Sequence, residues 1–521
     1  MIISRYKQIP VIDLFAGPGG LGEGFSSFRQ GNKSVFKIKL SIEKDPIAHQ
    51  TLLLRSFFRQ FDGNSVPEDY YQYVKGKIAK DELFQKHPKQ AHEAQKEAQC
   101  AELGSPDFPD GHIDVLISAA LKSSHGRNWL LIGGPPCQAY SLVGRSKMKG
   151  MKGQKEFEKD HRHFLYREYL RIIAKHRPSV FVMENVKGLL SATINGENIF
   201  YKILEDLKNP CTAFASKKET TVSYKLYSLA SPVLYSELPE ATDFIIESEK
   251  FGIPQARHRV IILGVRFDIS ERPELLNSVK EMIPMWDVLC DLPKVRSRLS
   301  DEIDSLEKWR EAIASMSDLS WFKNYADNIL KKTMKEKLTK LQKYNLSDGD
   351  NYISCQRRPR EYADWYLDHR LSGICSHIAK SHMREDLHRY FFAACYAKVY
   401  KRSPRMGDFP KELLPKHANI DDAVNGKMFS DRFKVQLSGT PASTITSHIS
   451  KDGHYFIHPD PCQCRSLTVR EAARLQTFPD NYNFEGNRTS QYQQVGNAVP
   501  PLLARNIAEV VYKLFQDSKK A

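Results

Sequence analysis

The sequence predicts an α/β protein, an open sheet with functional groups at its strand ends and a large second domain inserted late in the chain. Three observations predict it. Short apolar runs at 11–15, 129–132 and 180–183 each stop abruptly, at Ala16-Gly17, Gly133 and Glu184, as buried strands do. The first run leads through Ala16-Gly17-Pro18-Gly19-Gly20 into a helical stretch from Leu21 to Phe28, a strand–turn–helix unit. Beyond Arg266 the character changes to charged, then basic and aromatic, sequence. At 521 residues the chain exceeds one ordinary core, so two domains are expected.

Bulk properties exclude some classes. Hydrophobic residues make up 41% and no apolar run is long enough to cross a bilayer, so no membrane role is expected. The start, Met1 to Lys7, lacks the apolar core of a signal peptide. Nine cysteines without a regular framework suit a reducing cytoplasm, and the isolated Cys462-Gln463-Cys464 pair gives no zinc site; no metal is expected. A net charge of +15 fits a polyanionic partner without choosing among polyanions.

In chain order, the glycine turn after 11–15 brings backbone close to a ligand, dinucleotide or otherwise. The alternation of Phe36, Ile38, Leu40 and Ile42 gives a second strand, and Glu43 at its end is placed to accept from ribose hydroxyls. Residues 65–96 form a charged helical insertion with an apolar side at Tyr70, Tyr71, Tyr73 and Val74, expected to be structural. Trp129-Leu130-Leu131-Ile132 ends in Gly133-Gly134-Pro135-Pro136, and the two prolines stiffen the turn that presents Cys137. A thiol held there is a candidate nucleophile. Glycines and lysines from Gly144 to Lys155 describe a loop that closes on phosphates. Val180 to Met183 places Glu184 at another strand end, and Arg257 and Arg259 share one strand face.

Pro135-Pro136-Cys137-Gln138 together with Glu184-Asn185-Val186 resembles the cytosine-C5 methyltransferase family. Its other blocks follow in the family's order: Asp13 to Gly20, Gln255 to Arg259, Arg465 to Glu471 and Gln494 to Pro501. They cover the first half and the end of the chain; the middle matches loosely. The resemblance implies a Rossmann-like S-adenosylmethionine-dependent methyltransferase domain at 1–269, closed by 456–521, with an inserted α+β target recognition domain at 270–455. It implies Cys137, Glu184, Arg257 and Arg259 as the catalytic set. For the cofactor S-adenosylmethionine it implies Asp13, Phe15, Ala16, Gly17, Gly19, Gly20, Glu43, Pro135, Asn497 and Val499. For DNA it implies Gln138, Ser141, Arg145, Gln255 and Thr444. The adenine contact stays open between Glu102 and Asp114, and the block from Arg465 looks structural.

The resemblance further implies a monomeric prokaryotic enzyme acting on double-stranded DNA in the cytoplasm, with a cognate restriction endonuclease acting separately. A tRNA cytosine methyltransferase ranks lower, because a long segment separates the Arg257 and Arg465 blocks and the Cys-Phe-Thr element of the RNA-modifying relatives is missing. A catalytically silent binding protein has no chemical need for the intact Cys, Glu and Arg set. A dinucleotide oxidoreductase explains the glycine turn and nothing else.

Overall fold

The computed structural model describes residues 8–61, 63–122, 128–136, 162–194, 197–212, 222–232, 240–416, 420–427 and 429–517. Cys137, Gln138, Ser141, Arg145 and the rest of the loop through Lys155 lie outside the described residues.

Eight strands build one mixed sheet: β1 (Ile9–Leu14), β2 (Phe36–Glu43), β3 (Ala98–Cys100), β4 (Leu130–Gly133), β5 (Val180–Val186), β6 (Tyr224–Tyr227), β7 (Ile245–Glu247) and β8 (His258–Arg266). Their order is β6-β8-β5-β4-β1-β2-β3, with β7 also pairing with β8. Strands β3, β2, β1, β4 and β5 run parallel, while β8 is antiparallel to β5, β6 and β7. The expected α/β class and open sheet are present. Strand order reverses at β1, which lies between β2 and β4, and the carboxyl ends around such a switch point are where open sheets bind ligands.

The sheet is apolar because both faces are covered. On one face Ile12, Leu14, Leu131, Phe181 and Ile262 meet Ile113 and Ile117, Leu165 and Tyr169, and Phe200 and Ile203, from three separate helices. Helix Gly20–Ser27 packs on the closing helix Pro501–Asp517. A Cβ on Gly20 would overlap the carbonyl oxygen of Val499, so that close approach requires glycine.

By compactness the chain divides into two units, one of residues 1–66, 84–281 and 498–521, the other of residues 67–83 and 282–497. These borders differ from the expected 1–269, 270–455 and 456–521. The Arg465 block groups with the second unit, and so does part of the helical insertion, because their side chains bond there. The second unit's core surrounds helix Arg384–Tyr400, whose Leu387, Tyr390, Phe391 and Cys395 are buried against Trp309, Leu330 and Met334. Beside it, strands Gly349–Ser354 and Gly373–Ile378 form an antiparallel hairpin. Among the described residues no helix is long and apolar enough to cross a membrane, and no cluster of His, Cys, Asp and Glu could hold a metal ion.

Candidate active site

Four strand ends of the first unit carry the predicted groups. At the end of β1, Phe15 adopts φ 57°, a left-handed conformation costly for a bulky residue, and Gly17 and Gly19 follow at φ 57° and 97°. The Ala16 amide donates to Ile42 (3.0 Å), and the Gly17 amide donates 2.7 Å to Glu43 Oε2. Glu43, at the end of β2, also accepts from the Asp45 amide at Oε1 (2.8 Å). Asp45 in turn caps helix Pro46–Arg59 through the amides of Ile47 and Ala48. Burial raises the Glu43 carboxyl from its ordinary value, while the Asp45 and Gly17 amides oppose the rise. A carboxylate offers about four lone-pair sites, so two amide bonds leave room for ribose hydroxyls.

The Asp13 side chain stands apart from the other glycine-turn positions. Its carboxyl is wholly buried beside Gly22, within 3.0 Å of where a Cβ there would lie, instead of being open to the strand-end cleft. Burial pushes it up to about 8, with Arg59 pulling down and Glu43 and Glu97 adding to the rise. Burial thus holds the Asp13 carboxyl towards its neutral form, behind the turn.

At the end of β4, Pro135 is buried and its carbonyl accepts 3.1 Å from Asn185 Nδ2. Asn185 Oδ1 also takes the Val186 amide (2.8 Å), so this residue ties the Pro-Pro turn to β5. In the sequence Asn185 stands out only as the middle of the Glu184-Asn185-Val186 block, and that place is the signal for its role. A Cβ on Gly134 would lie 3.0 Å from Glu184 Oε2, so the carboxylate sits against the backbone that leads into Cys137.

On β8, Arg259 Nε lies 2.9 Å from Glu184 Oε1. The register explains the pair: Arg259 is opposite Val186, so Glu184 is its diagonal neighbour on the same face. Arg259 Nη1 also donates to the His258 carbonyl (2.8 Å), while His258 pairs on its own account with Glu249 (2.8 Å). Arg257 is almost completely buried. Burial first, and the Arg259 charge second, push its guanidinium well below the ordinary value; Glu184 pulls it back. Ser248 fixes the strand entry: its hydroxyl lies 2.9 and 2.8 Å from the Gln255 and Arg257 carbonyls, sharing its one proton, and accepts from the Arg257 amide at 3.1 Å. The structure thus brings Glu184, Arg257, Arg259 and the Pro-Pro turn together.

Other predicted positions are more scattered. Val499 packs on the glycine turn, whereas Asn497 is exposed and ends the second unit. Gln255, expected on DNA, is fully buried. Thr444 is partly buried and follows Ser443, whose amide and hydroxyl bond to the Gln436 side chain. Of the two adenine candidates, Asp114 is taken up by Arg171, Lys175 and His176 at 2.7–2.9 Å. Glu102 lies just past β3 and pairs with Lys44, the residue after Glu43 (3.1 Å).

Comparison with known proteins agrees with this geometry. A family model for C-5 cytosine-specific DNA methylases matches residues 122–210 and 243–513. The type II methyltransferase M.Bpa9945I of Bacillus paralicheniformis is 33% identical over 520 residues, covering 96% of this chain and 98% of that protein. The DNA (cytosine-5-)-methyltransferase M.ApeKI of Aeropyrum pernix is 26% identical, covering 73% and 80%. Among solved structures, an E. coli protein assigned as a DNA modification methyltransferase encoded within a prophage shares the fold. Its TM-score is 0.51 at 17% identity, with 98% of this chain and 100% of that chain covered. Membership in the methylase family implies use of S-adenosylmethionine. With the family model spanning more than half of its length and a full-length relative at 33% identity, the chain belongs to the C-5 cytosine-specific DNA methylases, and its reaction is methyl transfer to C5 of cytosine in DNA.

Proposed function

We propose that this protein is the modification enzyme of a type II restriction–modification system, methylating one cytosine within a defined double-stranded sequence. The observation that carries the reading is the Glu184–Arg259 pair beside Gly134, on the turn that delivers Cys137. The first unit is its catalytic part and the second its target recognition part. A cognate endonuclease acts separately, in a prokaryotic cytoplasm.

The strand ends fit S-adenosylmethionine. Glu43 keeps acceptor capacity for the ribose, Glu102 is the adenine-side acid, and the backbone of 15–20 with Pro135 and Val499 holds the remainder. When bound, that cofactor supplies an electrophilic methyl group. Asp13 lies behind the turn.

The chain's own residues prepare the base. C5 of cytosine is a poor nucleophile, and the target atom is shielded within a duplex, so the base must be flipped out at a cost of a few kcal/mol. The Cys137 thiolate adds to C6, forming a carbon–sulfur bond and moving the ring's electron pair to C5. Glu184, carrying a proton, donates to N3 and accepts from the 4-amino group, offsetting charge gathered on the ring. Arg259 orients Glu184 and binds the base O2, while Arg257 lends positive potential to the thiolate. After methylation, loss of the C5 proton returns the electron pair and expels Cys137. Ser141, Arg145, Gln138, Gln255 and Thr444 are the residues that would contact the DNA.

Bisulfite sequencing of DNA from a host expressing the protein tests the reading. Protected cytosines should fall at a single recurrent sequence. Uniform conversion at every cytosine contradicts it.

A further inference from the structure

Residues 67–83 leave the unit to which residues 1–66 and 84–281 belong and join the second one. Helix Glu68–Val74 is the reason. Tyr70 and Tyr71 are buried with rings edge to face at 5.6 Å, the packing expected of an apolar side. Their hydroxyls do something that packing does not require. Tyr70 donates to the Asn481 carbonyl (3.0 Å), Tyr71 to Asp368 Oδ2 (2.8 Å) and Tyr73 to Glu485 Oε1 (2.7 Å). Burial first and the facing carboxylates second hold the Tyr71 and Tyr73 phenols above their ordinary value, so both remain donors.

What the helix grips is a hairpin and its loop. Val74 accepts from Cys375 Sγ at 3.7 Å, and Lys75 lies over the Tyr352 ring, one residue from each hairpin strand. Arg370 lies 4.7 Å over the Tyr71 ring and 3.7 Å from Glu68. Asp368 and Arg370 belong to the loop 355–372, which joins the two strands. At its far end the same loop exposes Arg357, Arg358 and Arg360. Arg358 pairs with exposed Asp364 and Arg360 with Asp287, at 2.8 and 3.0 Å. Solvent-exposed pairs of this kind are worth little, so these guanidinium groups can exchange their partners for phosphates or base edges.

We propose that residues 67–83 are a positioning strap for target recognition: the Tyr71 hydroxyl on Asp368, with Arg370 over the Tyr71 ring and beside Glu68, holds the 355–372 loop in the shape that meets DNA, while Tyr70 and Tyr73 tie the strap to residues 481–485. The inference rests on the reading of the second unit as the DNA-recognition part. A loop ordered in advance forfeits less entropy on binding and excludes the alternative shapes that accept wrong sites. Site choice then depends on a segment encoded far upstream of the expected recognition region, and the strap residues are positioning residues that touch no base.

The test is the full-length protein carrying Tyr71→Phe and Tyr73→Phe, assayed on its own site and on sites changed by one base pair. Losing bonds to two carboxylates should raise KM for DNA and lower discrimination about tenfold each, leaving kcat and S-adenosylmethionine affinity within about twofold. A merely structural role would lower Tm and reduce rates on all sites by one common factor. That result, or wild-type KM and discrimination in a folded variant, overturns the proposal. Asp368→Asn, which keeps volume and removes charge, supplies the same readout if the double variant does not fold. Arg357→Ala separates the underlying reading: unchanged DNA affinity there removes the loop from DNA, whatever the tyrosines do.

Discussion

The buried arginines of the Arg465 segment and Arg259 come from equally plain sequence blocks and sit in different circumstances. In the second unit, Arg465, Arg470 and Arg474 are completely buried and all their nitrogens are engaged. Arg465 meets both oxygens of Glu471 at 2.7 Å and the Gln463 side chain at 2.7 Å. Arg474 bridges Asp291 and Asp480, and Arg470 donates to the carbonyls of Cys375, Pro479 and Tyr482. In the first unit, Arg259 shares one carboxylate and one carbonyl, and Glu184 directs its second oxygen towards the Pro-Pro turn. A network with every guanidinium nitrogen matched specifies a fold; one that leaves a carboxylate oxygen aimed at a turn is the arrangement the proposed chemistry needs.

Substitutions should divide along that line. Glu184→Gln should lower kcat by about 10²–10⁴-fold while Tm and S-adenosylmethionine affinity hold, because in the proposed mechanism its carboxyl acts on the flipped base. Single-turnover methylation checks it, and a retained rate would move Glu184 out of the chemistry. Arg474→Ala strands Asp291 and Asp480 as buried charges, so the loss should be of stability, about 3–5 kcal/mol by urea titration. A variant of wild-type stability would contradict the matched-network account.

Asp13 lies between the two cases, a buried carboxyl next to the proposed cofactor turn. Its value rises from 3.8 to about 8 on folding. Below pH 3.8 both states are protonated and there is no cost. As pH climbs from there to 8, the unfolded chain releases a proton that the folded one retains, so stability falls, then levels off. Asp13→Asn should remove that slope and gain on the order of a few kcal/mol at pH 8. An unchanged pH profile would show the carboxyl to be ionised. The smallest effect expected is that of Glu43→Ala, a loss of about 1.5–3 kcal/mol in S-adenosylmethionine binding measured by calorimetry. Unchanged affinity in the folded variant would take Glu43 off the ribose.

Strand ends were legible because each is marked locally, by Gly-Gly-Pro-Pro after Ile132, by Glu43 after an alternating run, and by Glu184 after four apolar residues. That Arg257 and Arg259 share a strand face was legible from alternation, whereas the pairing of Arg259 with Glu184 depends on the register of β8 against β5. What stayed hidden was long-range. Asn185 reaches across to Pro135, 50 residues earlier, and no periodicity announces that bond. The Arg465 block reads as helix, but its membership of the second unit is decided by partners such as Val295 and Asp291, far away in sequence. The tyrosines of the insertion gave a correct apolar side and concealed where their hydroxyls point. Asp114 and Glu102 were indistinguishable as acids until Arg171, Lys175 and His176 claimed the first.

The central claim is a covalent bond from Cys137 to the target base. The direct measurement is incubation of the wild-type protein and Cys137→Ser with duplex DNA carrying 5-fluorocytosine at the methylated position, followed by peptide mapping. Fluorine cannot leave as a proton does, so wild-type protein should be trapped on DNA through Cys137 in the presence of S-adenosylmethionine. Cys137→Ser should bind the same DNA and give no adduct. An adduct mapping to another cysteine, or full methylation by Cys137→Ser, would contradict the account.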